Sequence, residues 1–230
     1  LAFNKKFYVP NNATLVVAGD IDVPSTKKLI EDYFGPIPRG KDIERNFPKE
    51  DPITEAIEAK GYDANIQIPA IMAAYRTPSM KTRDSRVLDM ISSYFSSGKS
   101  SILYKKLVDT KKMALQVGAI NLSQEDYGTY ILFGLPQGET KLANIISEID
   151  EEVLKMQTTL ISEKAYQKLQ NQFENNYVDS NSSVEGIANS LARYNVLYGD
   201  TNLINTEIDI YRSVTREEIR DVAKKYLNPN

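Results

Sequence analysis

The 230-residue sequence has no histidine, no cysteine and no tryptophan. Each absence removes a class of chemistry. Without imidazole or thiolate, the usual zinc, copper and iron–sulfur ligand sets cannot be assembled from this chain alone. Dyads and triads that use histidine as a base or cysteine as a nucleophile are excluded for the same reason. What remains is a carboxylate site, a lysine site or no site. The lack of cysteine leaves the redox compartment undecided. No apolar run approaches the roughly 20 residues that span a bilayer. The first residues also lack the charged, apolar and small-residue zones of a signal peptide. A basic excess is missing as well: 28 Lys and Arg stand against 31 Asp and Glu, for a net charge of −3. Neither a membrane span nor a nucleic-acid partner is expected on these grounds.

What is present reads as a globular chain. Hydrophobic residues make up 41% and charged residues 26%, an ordinary balance for a packed domain. The length suffices for one domain that buries roughly 70% of its unfolded surface. The organising stretch runs from Lys5 to Pro38. Lys5-Lys6-Phe7 reads as a helix end, and Pro10-Asn11-Asn12 breaks it, because proline lacks an amide donor and asparagine tolerates turn geometry. The apolar run Ala13–Ala18 predicts a buried strand stopped by Gly19-Asp20. Asp22 or Ser25 then caps a helix to Phe34, with Pro24 in its first turn. Leu29, Ile30, Tyr33 and Phe34 recur at helical spacing and predict the face that packs on the sheet.

Residues 39–52 read as a surface connection. Ile53–Ala59 and Ile66–Tyr75 predict a first strand pair, with Pro69 favouring an edge or a bulge in the second member. Val87, Leu88, Ile91, Tyr94 and Phe95 mark a helix from Asp84, capped by Thr82 or Asp84. Ser100 or Ser101 is placed to cap a further helix carrying Ile102, Leu103 and Leu107. Met113–Leu122 and Tyr127–Leu135 predict a second hairpin. From Glu139 the chain reads as nearly continuous helix: Lys141–Met156, Ser162–Val178, Val184–Tyr198, Leu203–Arg212 and Thr215–Tyr226, the last opened by a Thr215/Glu218 capping box. The expected fold is α+β: a mostly antiparallel sheet of about five strands covered by helices, with a helix-rich C-terminal portion. The expected organisation is one domain over 1–230, with a sheet-forming part (1–138) and a helical part (139–230). Lys5–Asn11 and Lys224–Asn230 echo each other, which points to a piece of a longer, duplicated polypeptide.

The chemical motifs are weak. Gly98-Lys99-Ser100 resembles the end of a phosphate-binding loop, but the glycine required five residues earlier is Ser93, and the flank reads as helix rather than strand. Glu148, Asp150, Glu151 and Glu152 offer oxygen ligands for a hard cation. Yet Glu148, Glu151 and Glu152 fall opposite Ile145, Ile149, Val153 and Met156 on one helix, which predicts a solvated face. Tyr166, Tyr177, Tyr194 and Tyr198 are read as packing residues whose hydroxyls reach water or a partner. Asn12-Ala13-Thr14 and Asn181-Ser182-Ser183 match a glycosylation pattern that recurs by chance. No catalytic, cofactor-binding or metal-binding residue is assigned.

A family resemblance rests on several runs in order. They are Tyr8-Val9-Pro10-Asn11-Asn12-Ala13-Thr14-Leu15-Val16-Val17-Ala18-Gly19-Asp20, Tyr33-Phe34-Gly35-Pro36-Ile37-Pro38, Ala74–Pro78, Ser96–Leu107 and Val214–Leu227. Together they resemble the non-catalytic, "inactive" domain of M16 (pitrilysin-type) zinc metallopeptidases, with bacterial two-half envelope members the most similar. The resemblance implies a chamber-wall domain. It would pack on a catalytic domain, in the same chain or in a partner subunit, whose His-x-x-Glu-His helix and distant Glu hold the zinc. Peptide substrate would be met only through the parent enzyme. An Arg and a Tyr that contact substrate in the enzyme's last domain align with Val108 and Leu115, a departure that points to the second domain of the zinc-bearing half, with a degenerate last domain as the alternative. The resemblance also places the parent in the bacterial envelope or periplasm. The alternative is a structural or assembly domain of a relative that has lost catalysis.

Overall fold

The computed structural model describes residues 1–49 and 51–228. The chain divides into two compact units: Leu1–Asp51 with Asn175–Glu207, and Pro52–Glu174 with Ile208–Asn230.

The second unit carries the sheet and the core. Three strands, β1 (Ile71–Pro78), β2 (Ala114–Leu122) and β3 (Tyr127–Pro136), lie in the order β1-β3-β2, with both pairings antiparallel. The expected β2–β3 hairpin forms, with Leu122 opposite Thr129, Ile120 opposite Ile131 and one irregularity between Ala114 and Gln116. Helices α3 (Arg83–Ser96), α4 (Leu142–Thr158) and α8 (Arg216–Tyr226) pack against it. Ile145, Ile149, Val153 and Met156 of α4 recur every three or four residues and are all buried, so one stripe of the helix meets the sheet. Gly134 of β3 allows a close approach: a Cβ there would sit 2.5 Å from the Ile145 Cγ2. On the same face of the sheet, Val87, Leu88, Ile91 and Phe95 of α3 complete the core.

The caps follow the expected chemistry. Thr82 accepts a hydrogen bond from the Ser85 amide at 3.2 Å. Thr215 and Glu218 each accept the other's backbone N–H, at 3.1 and 2.8 Å. The helix expected after Gly98 instead widens into a π-helix, Tyr104–Thr110, and neither Ser100 nor Ser101 caps it. Ser101 Oγ is buried without a partner, while Ser100 Oγ accepts from Lys168 at 2.6 Å.

The first unit holds α1 (Ala2–Phe7), a 3-10 turn at Pro10–Asn12, α2 (Val23–Phe34), α6 (Val184–Arg193) and a second π-helix, Tyr194–Tyr198. The division between units falls within α5 (Glu163–Ser180) and α7 (Leu203–Arg212). Asp22 caps α2, accepting from the Ser25 amide at 3.0 Å. Asn12 Nδ2 donates to the Phe7 carbonyl at 2.8 Å and so closes the break after α1.

Two expected strands are not formed, which leaves the sheet at three rather than about five. Ala13 has extended dihedrals (φ −124°, ψ 144°), but Ala13–Ala18 joins no ladder with another described segment and none of it is buried, with Val16 and Ala18 half-buried and the rest exposed. A strand exists only as half of a ladder, so extended backbone without a partner remains an isolated run. Ile53–Ala59 is likewise unpaired and exposed. The segment expected to pair with it contributes Ile71–Pro78 to β3 instead. Pro69 lies outside the ladder, where its missing N–H costs nothing. Of the terminal echo, Pro229 and Asn230 lie outside the described residues.

Candidate binding surfaces

The sheet has one packed face and one open face. Tyr130, Leu132 and Gly134 of β3 point into the core. By the register, the opposite face collects Ile131, Phe133 and Leu135 with Met72 and Ala74 of β1 and Ile120 and Leu122 of β2. Met72 is 67% exposed, Leu122 46% and Ile120 42%. Gly118 lies opposite Phe133, and a Cβ there would be 2.2 Å from the ring, so the glycine lets the ring lie across the strand. At the end of this face the Arg76 guanidinium sits 5.5 Å from the centre of the Tyr127 ring, a cation–π contact that closes the apolar strip with a charge.

A second apolar surface belongs to the first unit. Helix α2 buries no residue, and Leu29 (55%), Tyr33 (75%) and Phe34 (54%) stand in solvent. The unpaired run Ala13–Ala18 adds Leu15 and Val17, also exposed. In this unit only Tyr194 and Glu207 are buried among the described residues, and the Tyr194 hydroxyl donates to the Glu207 carboxylate. The face expected to pack α2 on a sheet is therefore open.

The acidic run of α4 is only in part the solvated face expected from its spacing: Asp150 and Glu151 are exposed, whereas Glu148 and Glu152 are drawn in against lysines. Lys106 of the π-helix reaches Glu148, Glu151 and Glu152 at 3.0, 2.8 and 2.7 Å. Lys111 pairs with Glu148, and Lys155 with Glu151 and Glu152. Glu152 is only 8% exposed. Hydrogen bonds from Lys106 and then Lys155 hold the Glu151 carboxyl down at about 2. The Glu148 carboxyl is held below its ordinary range by Lys111 first and then Lys106.

This chain does not fit a zinc ion. It has no histidine or cysteine, and these glutamates are committed to lysines. Among the described residues no group of three or more His, Cys, Asp or Glu is placed to hold a metal.

The remaining motif residues are structural. Gly98 takes φ +72°, a turn conformation that favours glycine. Gln172 of α5 donates to Ser97 Oγ at 2.5 Å, tying the Gly-Ser loop down. Tyr166 donates to the Val214 carbonyl at 2.7 Å, and Tyr177 to that of Ile204. Tyr194 and Tyr198 meet edge to face, 5.8 Å between centres. Val108 is half-buried on the π-helix and Leu115 exposed at the start of β2. No described helix is long and apolar enough to cross a membrane.

The open sheet face was missed from sequence, although it left a signal. Tyr127–Leu135 is apolar at both parities, the mark of a strand covered on both sides.

Comparison with known proteins agrees with this arrangement. Residues 1–173 match the Peptidase M16 inactive domain. The chain is 24% identical over 194 residues to the zinc protease PqqE of Helicobacter pylori, covering 84% of this chain and 44% of that protein. A crystal structure of a protease from Helicobacter pylori superposes with a TM-score of 0.88 at 22% identity, over 99% of this chain and 55% of the other. The periplasmic protease PqqL from Escherichia coli superposes with a TM-score of 0.72 at 16% identity, over 91% of this chain and 23% of the other. The chain thus spans about half or less of these relatives' length. With the α+β fold, the histidine-free sequence and a family match over three quarters of its length, the chain belongs to the Peptidase M16 inactive-domain family.

Proposed function

We propose that this chain is a non-catalytic part of an M16-type zinc metallopeptidase, packs on the His-x-x-Glu-His domain and forms a wall of its peptide chamber. The observation that carries the reading is the coreless first unit. It sets Leu15, Val17, Leu29, Tyr33 and Phe34 in solvent and buries almost nothing. Large apolar side chains left exposed in such number mark a surface that another protein covers. The open face around Phe133 supplies a second apolar wall, suited to an unfolded peptide. A wall contributes by raising the local concentration of peptide at the zinc and orienting it, while performing no bond chemistry itself.

The test is peptide hydrolysis with zinc added, by this chain alone, by a His-x-x-Glu-His M16 domain of the same protein alone, and by the two mixed. Cleavage by the mixture only, abolished by a chelator, supports the reading. A stable but inert complex assigns the chain to assembly in a relative without catalysis. Absence of any complex overturns both.

A further inference from the structure

An open cavity of about 610 Å³ lies in the second unit between the π-helix Tyr104–Thr110, the C-terminal turns of α4 and the segment leading to α5. Its size is within the roughly 300–1,000 Å³ of small-ligand sites. Its floor is apolar, built from Ile102, Met156, Leu160 and Ile161. We propose that it binds a carboxylate carried on an apolar chain, a role independent of the proposed chamber function.

The π-helix arranges the groups that point to this ligand. In such a helix each backbone bond spans five residues, so positions five apart share a face. Lys106 and Lys111 are one such pair, and both reach Glu148. Lys105 and Thr110 are the next pair round, and both line the cavity. Lys106, Lys111 and Lys155 are neutralised by Glu148, Glu151 and Glu152. Lys105 has no carboxylate partner among the described residues, and the Tyr94 and Thr110 hydroxyls have no hydrogen-bond partner there.

Among the described lining residues the groups with no side-chain partner are therefore one cation, Lys105, and the Tyr94 and Thr110 hydroxyls, while Ser162 Oγ already accepts from the Ala165 amide at 3.2 Å. A single carboxylate matches that set: its charge meets Lys105, its oxygens accept from Tyr94 and Thr110, and its chain covers the floor. A polyanion finds only one free cation and faces the Glu152 carboxylate, so it fits worse. A neutral apolar molecule leaves the ammonium unused. The carboxylate can come from a fatty acid or from the C-terminus of a peptide ending in an apolar residue.

The experiment titrates the full chain with octanoate, with octanol, with a short peptide ending in free leucine, and with the same peptide amidated. Binding is followed by calorimetry and by the methyl resonances of Ile102, Met156 and Ile161. Octanoate, the free-acid peptide or both should bind and shift those methyls, while octanol and the amide bind more weakly. Binding of octanoate alone supports the proposal with a lipid-like source, and of the peptide alone with a peptide C-terminus. Lys105→Gln should weaken binding roughly tenfold to a hundredfold, the worth of a charged hydrogen bond, and Tyr94→Phe several-fold. Lys105 is exposed, so its substitution leaves the fold intact. Equal binding of octanol or the amide, no binding by either carboxylate, or affinities unchanged in both variants would overturn the proposal.

Discussion

Gly118 and Lys106 show how single residues decide local geometry in this protein. At Gly118 the Phe133 ring occupies the space a side chain would take, with 2.2 Å to an added Cβ. Gly118→Ala must push the ring off the strand, and a loss of about 1–3 kcal/mol is expected in urea denaturation; an unchanged midpoint would mean the ring is not held there. Lys106, 16% exposed at its side chain, holds three carboxylates. Burial works against its charge, but the hydrogen bonds to Glu151, Glu152 and Glu148 outweigh it and raise its pKa. Lys106→Met leaves Glu152 buried with Lys155 alone, at a cost of about 2 kcal/mol at neutral pH. The sign with pH follows from the lowered carboxyls. A depressed pKa adds stability above the unfolded value of 4.5 and loses it as pH falls toward the folded one, about 2 for Glu151. Stability should therefore decline between pH 4.5 and 2, and decline less in Lys106→Met, as read from denaturation midpoints across that window.

At the scale of elements, the chain's local chemistry is largely self-sufficient. The capping box at Thr215 is formed as its spacing requires, and Glu218 also accepts from Arg83 at 2.6 Å. Thr215→Ala is expected to cost about 1 kcal/mol, visible as a lower thermal midpoint, whereas Thr215→Ser should restore most of it. The helices Leu203–Arg212 and Thr215–Tyr226 and the β2–β3 hairpin were all legible, because caps and apolar periodicity act within a few residues. The π-helix was not. Its apolar spacing is compatible with an α-helix, and the wider turn accompanies a tertiary demand, namely bringing Lys106 and Lys111 to Glu148 together.

At the scale of the whole molecule, the unequal burial of the two units is the main finding. The second unit has a continuous core from α3 to α8, while the first has an apolar exterior. In the absence of a partner that surface should drive self-association. Leu29→Glu with Tyr33→Glu should reduce concentration-dependent sedimentation. Because both side chains are exposed, the double change should cost no more than about 0.5–1 kcal/mol of folding stability. Unchanged association would show that this face is not the sticky one.

The sequence by itself determined the chemistry that is impossible here, since no fold can supply an imidazole or a thiol that the chain lacks. It also determined most helix limits, the β2–β3 hairpin and the family, because these depend on local spacing and on ordered motifs. Only the tertiary structure decided that Ala13–Ala18 and Ile53–Ala59 stay unpaired, that Glu152 is buried against lysines rather than solvated, and that Phe133 lies on an open face. Each of those depends on which distant segment comes to lie alongside, and strand pairing, ion pairing and burial are properties of two surfaces rather than of one run of residues.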